Sequence, residues 1–260
     1  MGTSIIIPSR NEPYLQKTIQ DLLVKATGKI EIIAILDGYW PKISEIVNHP
    51  RVSYIHYSDS RGMRNAINTG ISIAKYEFVL KIDAHVLFAK GFDEVLLKDY
   101  QENMVIVPRR YRLNPVNWGV IVDGRSPVDY EYIDSSDLHG VRWEEKARER
   151  KDIMIDDIIS AQGSCWFMKK SHFERLGGLD DINYGTFFLE FQELAFKVWK
   201  YGGRVVVDKN TWYAHWHKTE GRGYNFNSGE REKAVNFMQG WRKDPKWLKI
   251  IDKFKPMPTW

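Results

Sequence analysis

Short apolar strands alternate with helical patterns through the first third of the chain, and this alternation constrains the fold more than any other feature. Residues 5–7, 31–36, 51–57 and 77–82 have the length and composition of strands. Between them, residues 15–26 and 63–74 repeat apolar side chains at helical spacing. Strands joined by helices predict an α/β fold with a mostly parallel central sheet and flanking helices.

Polar residues follow these predicted strands at the points where the strands end. Pro8, Arg10 and Glu12 follow the first strand, Asp37 ends the second, and Asp83 follows the fourth. Ligands of open α/β sheets bind at the carboxyl ends of the strands. The first half of the chain is therefore predicted to form a Rossmann-like nucleotide-binding half.

The second half is less regular. Residues 109–157 are polar and lack a sustained period, which is typical of a lid or binding loop. Order resumes with predicted strands at 164–169 and 204–207 and predicted helices at 171–176, 189–201 and 230–241. We predict one domain over residues 1–220, with the acceptor half following the nucleotide half, and a helical tail over residues 221–260 packed on it.

Composition narrows the compartment and the ligand. A lone cysteine, Cys165, excludes an internal disulfide framework and fits a reducing compartment. The sequence has neither a secretory signal pattern nor an apolar run of membrane-spanning length, so we expect a cytoplasmic protein of a bacterium or a phage-infected host. The formal charge of +4 permits an anionic ligand without requiring one.

The triplet Asp83-Ala84-His85 at a strand end carries the chemistry. Two residues apart in extended backbone, a carboxylate and an imidazole project towards the same side. This pair suits Mn²⁺ or a neighbouring transition metal better than Ca²⁺. By itself the triplet is a weak signal, because a surface Asp beside a structural His has the same sequence.

Two further segments fall in the same order as in a known family. Residues 185–199 read Gly-Thr-Phe-Phe-Leu-Glu-Phe-Gln-Glu-Leu-Ala-Phe-Lys-Val-Trp before the pair Gly202-Gly203, and His215 follows the next predicted strand. With the triplet, these motifs resemble the family-2 glycosyltransferases. The resemblance is strongest to the catalytic domain of polypeptide N-acetylgalactosaminyltransferases, covers about residues 4–217, and is weakest over residues 109–157. It implies a GT-A fold.

The resemblance also implies roles for individual residues. Asp83, His85 and His215 would hold Mn²⁺ (or Mg²⁺), and Asp83 and Glu190 would be the catalytic residues of a hexosyltransferase. The donor would be a UDP-sugar, with Asp37 at the nucleoside and Glu190 at the sugar hydroxyls. The remaining donor-site residues would be Pro8, Arg10, Glu12, Arg61, Arg64, Asn65, Gln162 and Gly163.

One departure from the family bears on stereochemistry. Many inverting family-2 enzymes carry a general-base Asp after the helix-start Glu, whereas here Glu190 is followed by Phe191, which accepts no proton. Retention is therefore the expected outcome. Absence of the secretory features and lectin domain of the polypeptide enzymes makes a mucin acceptor unexpected.

The acceptor stays open between a cytosolic protein, an envelope glycan precursor and a hydroxymethylated DNA base. Basic clusters at 109–112, 146–151 and 242–255 suit DNA, although acidic residues interrupt them. A sugar nucleotidyltransferase is a further alternative, disfavoured because Ser9-Arg10-Asn11-Glu12 is not a glycine-rich loop. A non-catalytic nucleotide-sugar-binding module is the third, favoured by Phe191 and disfavoured by the intact set of site residues.

Overall fold

The computed structural model describes residues 1–218 and 228–260 of the chain. Its strands are β1 (Thr3–Ser9), β2 (Ile30–Asp37), β3 (Val52–Tyr57), β4 (Phe78–Ile82), β5 (Val86–Phe88), β6 (Met104–Asn114), β7 (Gly119–Val120), β8 (Glu131–Ile133), β9 (Gly140–Arg142), β10 (Ile155–Asp157), β11 (Cys165–Lys169) and β12 (Arg204–His215). Its helices are α1 (Leu15–Lys25), α2 (Met63–Ile73), α3 (Phe92–Asp99), α4 (Glu144–Glu149), α5 (Lys170–Arg175), α6 (Asp181–Tyr184), α7 (Glu190–Lys200), α8 (Ser228–Gln239) and α9 (Pro245–Lys253).

The central sheet runs in the order β10-β12-β6-β11-β4-β1-β2-β3. The strands β4, β1, β2 and β3 are parallel, as the alternation of strands and helices predicts. The second half is mixed, because β11 runs antiparallel to β4 and β6 while β12 runs parallel to β6. The predicted α/β class with a central sheet and flanking helices is confirmed.

Both faces of the sheet are covered, which explains the continuous apolar runs of its strands. On β1, Ile6 packs into one hydrophobic core and its neighbours Ile5 and Ile7 pack into another. Residues of α2, α7 and α9 belong to the first core, and residues of α1 and α3 belong to the second. No helix within residues 1–218 and 228–260 is long and apolar enough to cross a membrane.

Two expectations about the second half need correction. Residues 109–157 are not one irregular segment, since the end of β6, the strands β7 to β10 and the helix α4 all lie there. Apart from β6 and α4, these elements have three residues or fewer, which is too few for a period to be visible in the sequence. The strand predicted at 204–207 extends to His215 as β12. The proposed boundary between residues 220 and 221 lies outside the described residues.

Candidate active site

A cleft of about 750 Å³ opens at the carboxyl ends of β1, β2 and β4. Most of the residues predicted for the site line this cleft together: Pro8, Arg10, Glu12, Asp37, Asp83, His85, Gln162, Gly163, Glu190 and His215. The structure therefore brings ten of the thirteen predicted site residues to one cleft.

Strand register brings His215 beside the Asp83-Ala84-His85 triplet. Asp83 directly follows β4, and its backbone N–H donates to the Ser164 carbonyl at 2.9 Å. His85 directly precedes β5, which pairs with β12 so that Val86 lies opposite His215. The Trp216 N–H then donates to the His85 carbonyl at 3.2 Å. His85 and His215, 130 positions apart in the sequence, thus lie side by side at the ends of two paired strands.

One atom from each of these side chains converges on a common point. His215 Nε2 lies 3.1 Å from Asp83 Oδ2 and 3.0 Å from His85 Nε2. Ligand atoms of Asp83, His85 and His215 all lie within 4.8 Å of one another. Glu12 Oε2 lies 2.9 Å from His85 Nδ1, an arrangement that puts the ring proton on Nδ1 and leaves a lone pair on Nε2.

The pKa values of His215 and Asp83 are both lowered, which favours the protonation states that bind a cation. Burial lowers the pKa of His215 to about 3, so its ring is neutral and has a free lone pair at physiological pH. Burial alone would raise the pKa of Asp83, but the Lys81 ammonium, the largest opposing influence, holds it well below its usual value. His215 Nδ1 is buried and has no hydrogen-bond partner among the described residues, unlike His85 Nδ1, which contacts Glu12. One carboxylate and two imidazoles therefore fit a divalent transition metal.

Glu190 begins α7 and reaches the same cleft from the other side. Lys81 and Trp166 are cross-strand neighbours on β4 and β11, and both donate to its carboxylate. Lys81 Nζ lies 3.2 Å from Oε2, and Trp166 Nε1 lies 2.6 Å from Oε1. Burial raises the pKa of Glu190, while the Lys81 charge and the Trp166 hydrogen bond oppose that rise.

Asp37, at the carboxyl end of β2, organises the turn before α2. Its carboxylate accepts from Ser60 Oγ at 2.7 Å and from the Arg61 backbone N–H at 2.6 Å. It also accepts from the N–H of Gly62, whose φ of 88° is a left-handed conformation that favours glycine. The carboxylate is therefore already hydrogen-bonded within the protein.

Three of the predicted donor-site residues do not line the cleft in the structure. Arg61 stacks over the Tyr57 ring at 4.7 Å, and Asn65 donates to Asp181 at 3.4 Å. Arg64 is fully buried, where it pairs with Glu193 and donates to the Phe188 carbonyl. The contacts of Arg64 and Asn65 join α2 to the segment preceding α7 and to α7 itself.

Several cleft residues were not predicted from the sequence. Lys81 is the most central, and its signal was visible as one charged residue within the apolar strand Phe78–Ile82. Others come partly from residues 109–157, which lacked a sequence period, and partly from elsewhere in the chain. They include Arg110, Glu131, His139, Arg142, Gln192 and Lys218.

The basic clusters of the sequence are largely ion-paired. Arg109 pairs with Asp129 at 2.7 Å and Arg110 pairs with Glu131 at 2.7 Å. Further pairs involve Arg112 with Asp123, Arg148 with Glu144 and Glu145, Arg150 with Asp156, and Lys253 with Asp157. Much of the positive charge in these clusters is thus neutralised by neighbouring carboxylates.

Known proteins resemble this chain in sequence and in fold. The sequence profile of Glycosyl transferase family 2 matches residues 4–177. The chain belongs to this family. A family-2 relative, glycosyltransferase GlyG of Streptococcus pneumoniae serotype 4, is 30% identical over 178 residues, which cover 65% of this chain and 53% of GlyG. The human probable polypeptide N-acetylgalactosaminyltransferase 8 is 26% identical over 188 residues, covering 68% of this chain and 26% of that protein.

Solved structures share the fold of this chain. The crystal structure of GalNAc-T7 with UDP, GalNAc and Mn²⁺ superimposes with a TM-score of 0.75 at 19% identity, covering 94% of this chain and 48% of that one. Staphylococcus aureus TarS superimposes at 0.55 and 16% identity, over 83% of this chain and 60% of the TarS chain. The predicted GT-A fold is thereby confirmed. The chain spans about half the length of GlyG and less of the human relative.

Proposed function

We propose that this chain catalyses metal-dependent transfer of a hexose or N-acetylhexosamine from a UDP-sugar to an acceptor hydroxyl. The observation that carries the proposal is the convergence of Asp83, His85 and His215 in a cleft that also contains Glu190. The likeness to GalNAc-T7, whose crystal structure contains UDP, GalNAc and Mn²⁺, supports the choice of donor and metal.

In this proposal, Asp83, His85 and His215 hold Mn²⁺ (or Mg²⁺), and Glu12 orients His85. A bound divalent cation would offset the charge of the departing diphosphate. Glu190 would accept hydrogen bonds from the donor sugar. Pro8, Arg10 and Asp37, at the ends of β1 and β2, would contact the nucleotide, and the Gln162-Gly163 segment would pass close to the donor sugar.

The protein groups in the cleft favour retention of configuration. Among the described lining residues, the carboxylates are Glu12, Asp37, Asp83, Glu131 and Glu190. Each already accepts a hydrogen bond or an ion pair from the protein. Phe191, which follows Glu190, is buried and apolar. With no carboxylate left free as general base, the departing diphosphate is the proposed acceptor of the proton on the same face.

The paired basic clusters favour an acceptor without a phosphate backbone, such as a glycan precursor or a protein. Binding of DNA depends on cations that neutralise phosphates, and here many candidate cations are already neutralised. A nucleotidyltransferase is disfavoured by the family-2 match over residues 4–177. A non-catalytic module remains the alternative that the following assay excludes or establishes.

The test is hydrolysis of a panel of nucleotide sugars by the wild-type chain, with Mn²⁺, with Mg²⁺ and with EDTA. We expect one donor to be hydrolysed with metal, and this activity to be lost in Asp83→Ala and His215→Ala. Metal-dependent donor binding without turnover, even with acceptors present, would indicate a binding module. Absence of both binding and turnover would contradict the proposal. With the donor known, transfer to hydroxymethylated DNA at low and high salt tests the acceptor inference.

A further inference from the structure

Lys81 is a charged residue in the middle of a buried strand. Its side chain is 1% exposed, and its neighbours Leu80 and Ile82 are fully buried. Transfer of an ammonium group from water to such a position is costly unless several partners compensate the charge. The charge of Lys81, which lines the cleft, must therefore be compensated by its neighbours.

Three acceptors surround the ammonium. Lys81 Nζ lies 2.9 Å from Asp83 Oδ1 and 3.2 Å from Glu190 Oε2, and it also donates to the Gly163 carbonyl. An ammonium has three N–H donors, so these contacts use its full capacity. The remaining oxygen of Asp83, Oδ2, is the one that faces His215 at 3.1 Å.

This arrangement links the two halves of the candidate site through one cation. Asp83 belongs to the candidate metal site, whereas Glu190 lies at the candidate sugar site. The space around Glu190 is tight, because a Cβ added at Gly163 would lie 2.4 Å from Glu190 Oε2. Few other positions are open to that carboxylate, and the Lys81 contact helps to select the one observed.

We propose that Lys81 is a positioning residue that leaves Asp83 one oxygen for the metal and fixes the Glu190 carboxylate against the donor sugar. The inference rests on the proposed function and adds to it the residue that couples the metal and sugar sites. Without Lys81, both oxygens of Asp83 become available and Glu190 loses its nearest cation. Metal binding is then retained while the sugar is no longer held for transfer.

A purely structural role predicts something different, and the chain contains a matched control. Asp156 is another buried carboxylate, with its side chain 9% exposed; it pairs with Arg150 at 2.7 Å, and neither residue lines the cleft. Removal of Lys81 or of Arg150 leaves a buried carboxylate without its charge partner and lowers stability. Only the removal of Lys81 is expected to change the kinetics of the folded enzyme.

The experiment compares Lys81→Met, Arg150→Met and Asp83→Ala with the wild type. Mn²⁺ affinity is measured from the electron paramagnetic resonance of free Mn²⁺, and kcat and KM are measured for hydrolysis of the donor found in the nucleotide-sugar panel. We expect Lys81→Met to bind Mn²⁺ as tightly as the wild type or tighter, with kcat lower by about 100-fold or more, as when one preorganised electrostatic group is removed. Arg150→Met should melt at a lower temperature with wild-type kcat, and Asp83→Ala should lose Mn²⁺.

A wild-type kcat in Lys81→Met, or a loss of Mn²⁺ as complete as in Asp83→Ala, would overturn the proposal. A double-mutant cycle with Glu190→Gln keeps it testable if the single variant folds poorly, because the double variant has one uncompensated carboxylate, Asp83, where Lys81→Met has two. We expect the double variant to lose less activity than the product of the losses in Lys81→Met and Glu190→Gln. If Lys81→Met does not fold, the same cycle is made with Lys81→Arg in its place. Fully multiplicative losses would contradict the coupling. Failure of the proposed function itself would appear separately, as a wild-type chain without metal-dependent hydrolysis.

Discussion

Glu12 contacts the candidate metal site without being one of its three candidate ligands. Its Oε2 lies 2.9 Å from His85 Nδ1 and 2.6 Å from Lys218 Nζ, and its side chain is 4% exposed. A carboxylate that accepts the Nδ1 proton of a ligand histidine fixes both the ring orientation and the tautomer. The triplet itself was evident in the sequence, whereas this hydrogen bond between residues 73 positions apart required the structure.

Replacement of Glu12 by alanine is therefore expected to weaken Mn²⁺ binding by about 10- to 100-fold, because His85 loses the group that orients it. Isothermal titration with Mn²⁺ measures the effect. Glu45→Ala is the control, since Glu45 is exposed and contacts only the backbone of its own turn. Equal Mn²⁺ affinities in the two variants would show that Glu12 does not orient His85.

Site residues that are close together in the sequence were predictable from it, whereas those brought together by long-range contacts were not. Asp83 and His85 stand two apart at a strand end and were predicted from that pattern. His215 was predicted only through the family resemblance, because β-strand pairing between distant segments leaves no spacing signal. Arg64 was predicted at the donor site, yet α2 packs on the sheet and directs this side chain to Glu193 instead.

At the scale of elements, β12 differs most from its predicted form. Its register against β6 shifts between Asp208 and Trp212, so the polar stretch in between hides the continuation of the strand to His215. Asp208 lies at this irregularity and is fully buried. One carboxylate oxygen accepts from the Asn210 N–H at 2.9 Å, and the other has no hydrogen-bond partner.

Burial raises the pKa of Asp208 from 3.8 to about 6. At neutral pH the ionised carboxylate is buried at a cost, and Asn would keep the Oδ1 acceptor without the charge. We expect Asp208→Asn to raise Tm near pH 7.5, because there the wild type buries an ionised group. As pH falls through about 6 the folded wild type takes up the proton, and near pH 4 the advantage disappears. Thermal melts across this range measure it, and a Tm difference independent of pH would contradict it.

At the scale of the whole molecule, the C-terminal helices are part of the main core. Trp247 on α9 is 1% exposed and packs at 4.7 Å, between ring centroids, from Phe196 on α7. Trp241 stacks on the same phenyl ring at 4.4 Å. The sequence predicted helices here but did not show which surface they cover, because an amphipathic pattern identifies an apolar face and not its partner.

Trp247→Ala is expected to lower the free energy of unfolding by about 3–5 kcal/mol, the usual cost of truncating a large buried aromatic side chain. Denaturant unfolding followed by circular dichroism measures the change. The adjacent residue gives a control, since Leu248 is 53% exposed and Leu248→Ala removes little buried surface. Similar stabilities of the two variants would mean that the C-terminal helices contribute little to the core.

The α/β class was predictable because strands buried on both faces leave continuous apolar runs in the sequence. The mixed second half was not, because β7 to β10 are short and depend on partners distant in sequence. The proposed function depends on one metal site formed by Asp83, His85 and His215, the last of which lies 130 positions after His85 in the sequence. Anomalous diffraction at the manganese edge, from crystals grown with Mn²⁺ and UDP, tests it most directly. We predict a single strong peak within coordination distance of Asp83 Oδ2, His85 Nε2 and His215 Nε2. A peak at another place, or none in the cleft with UDP bound, would contradict it.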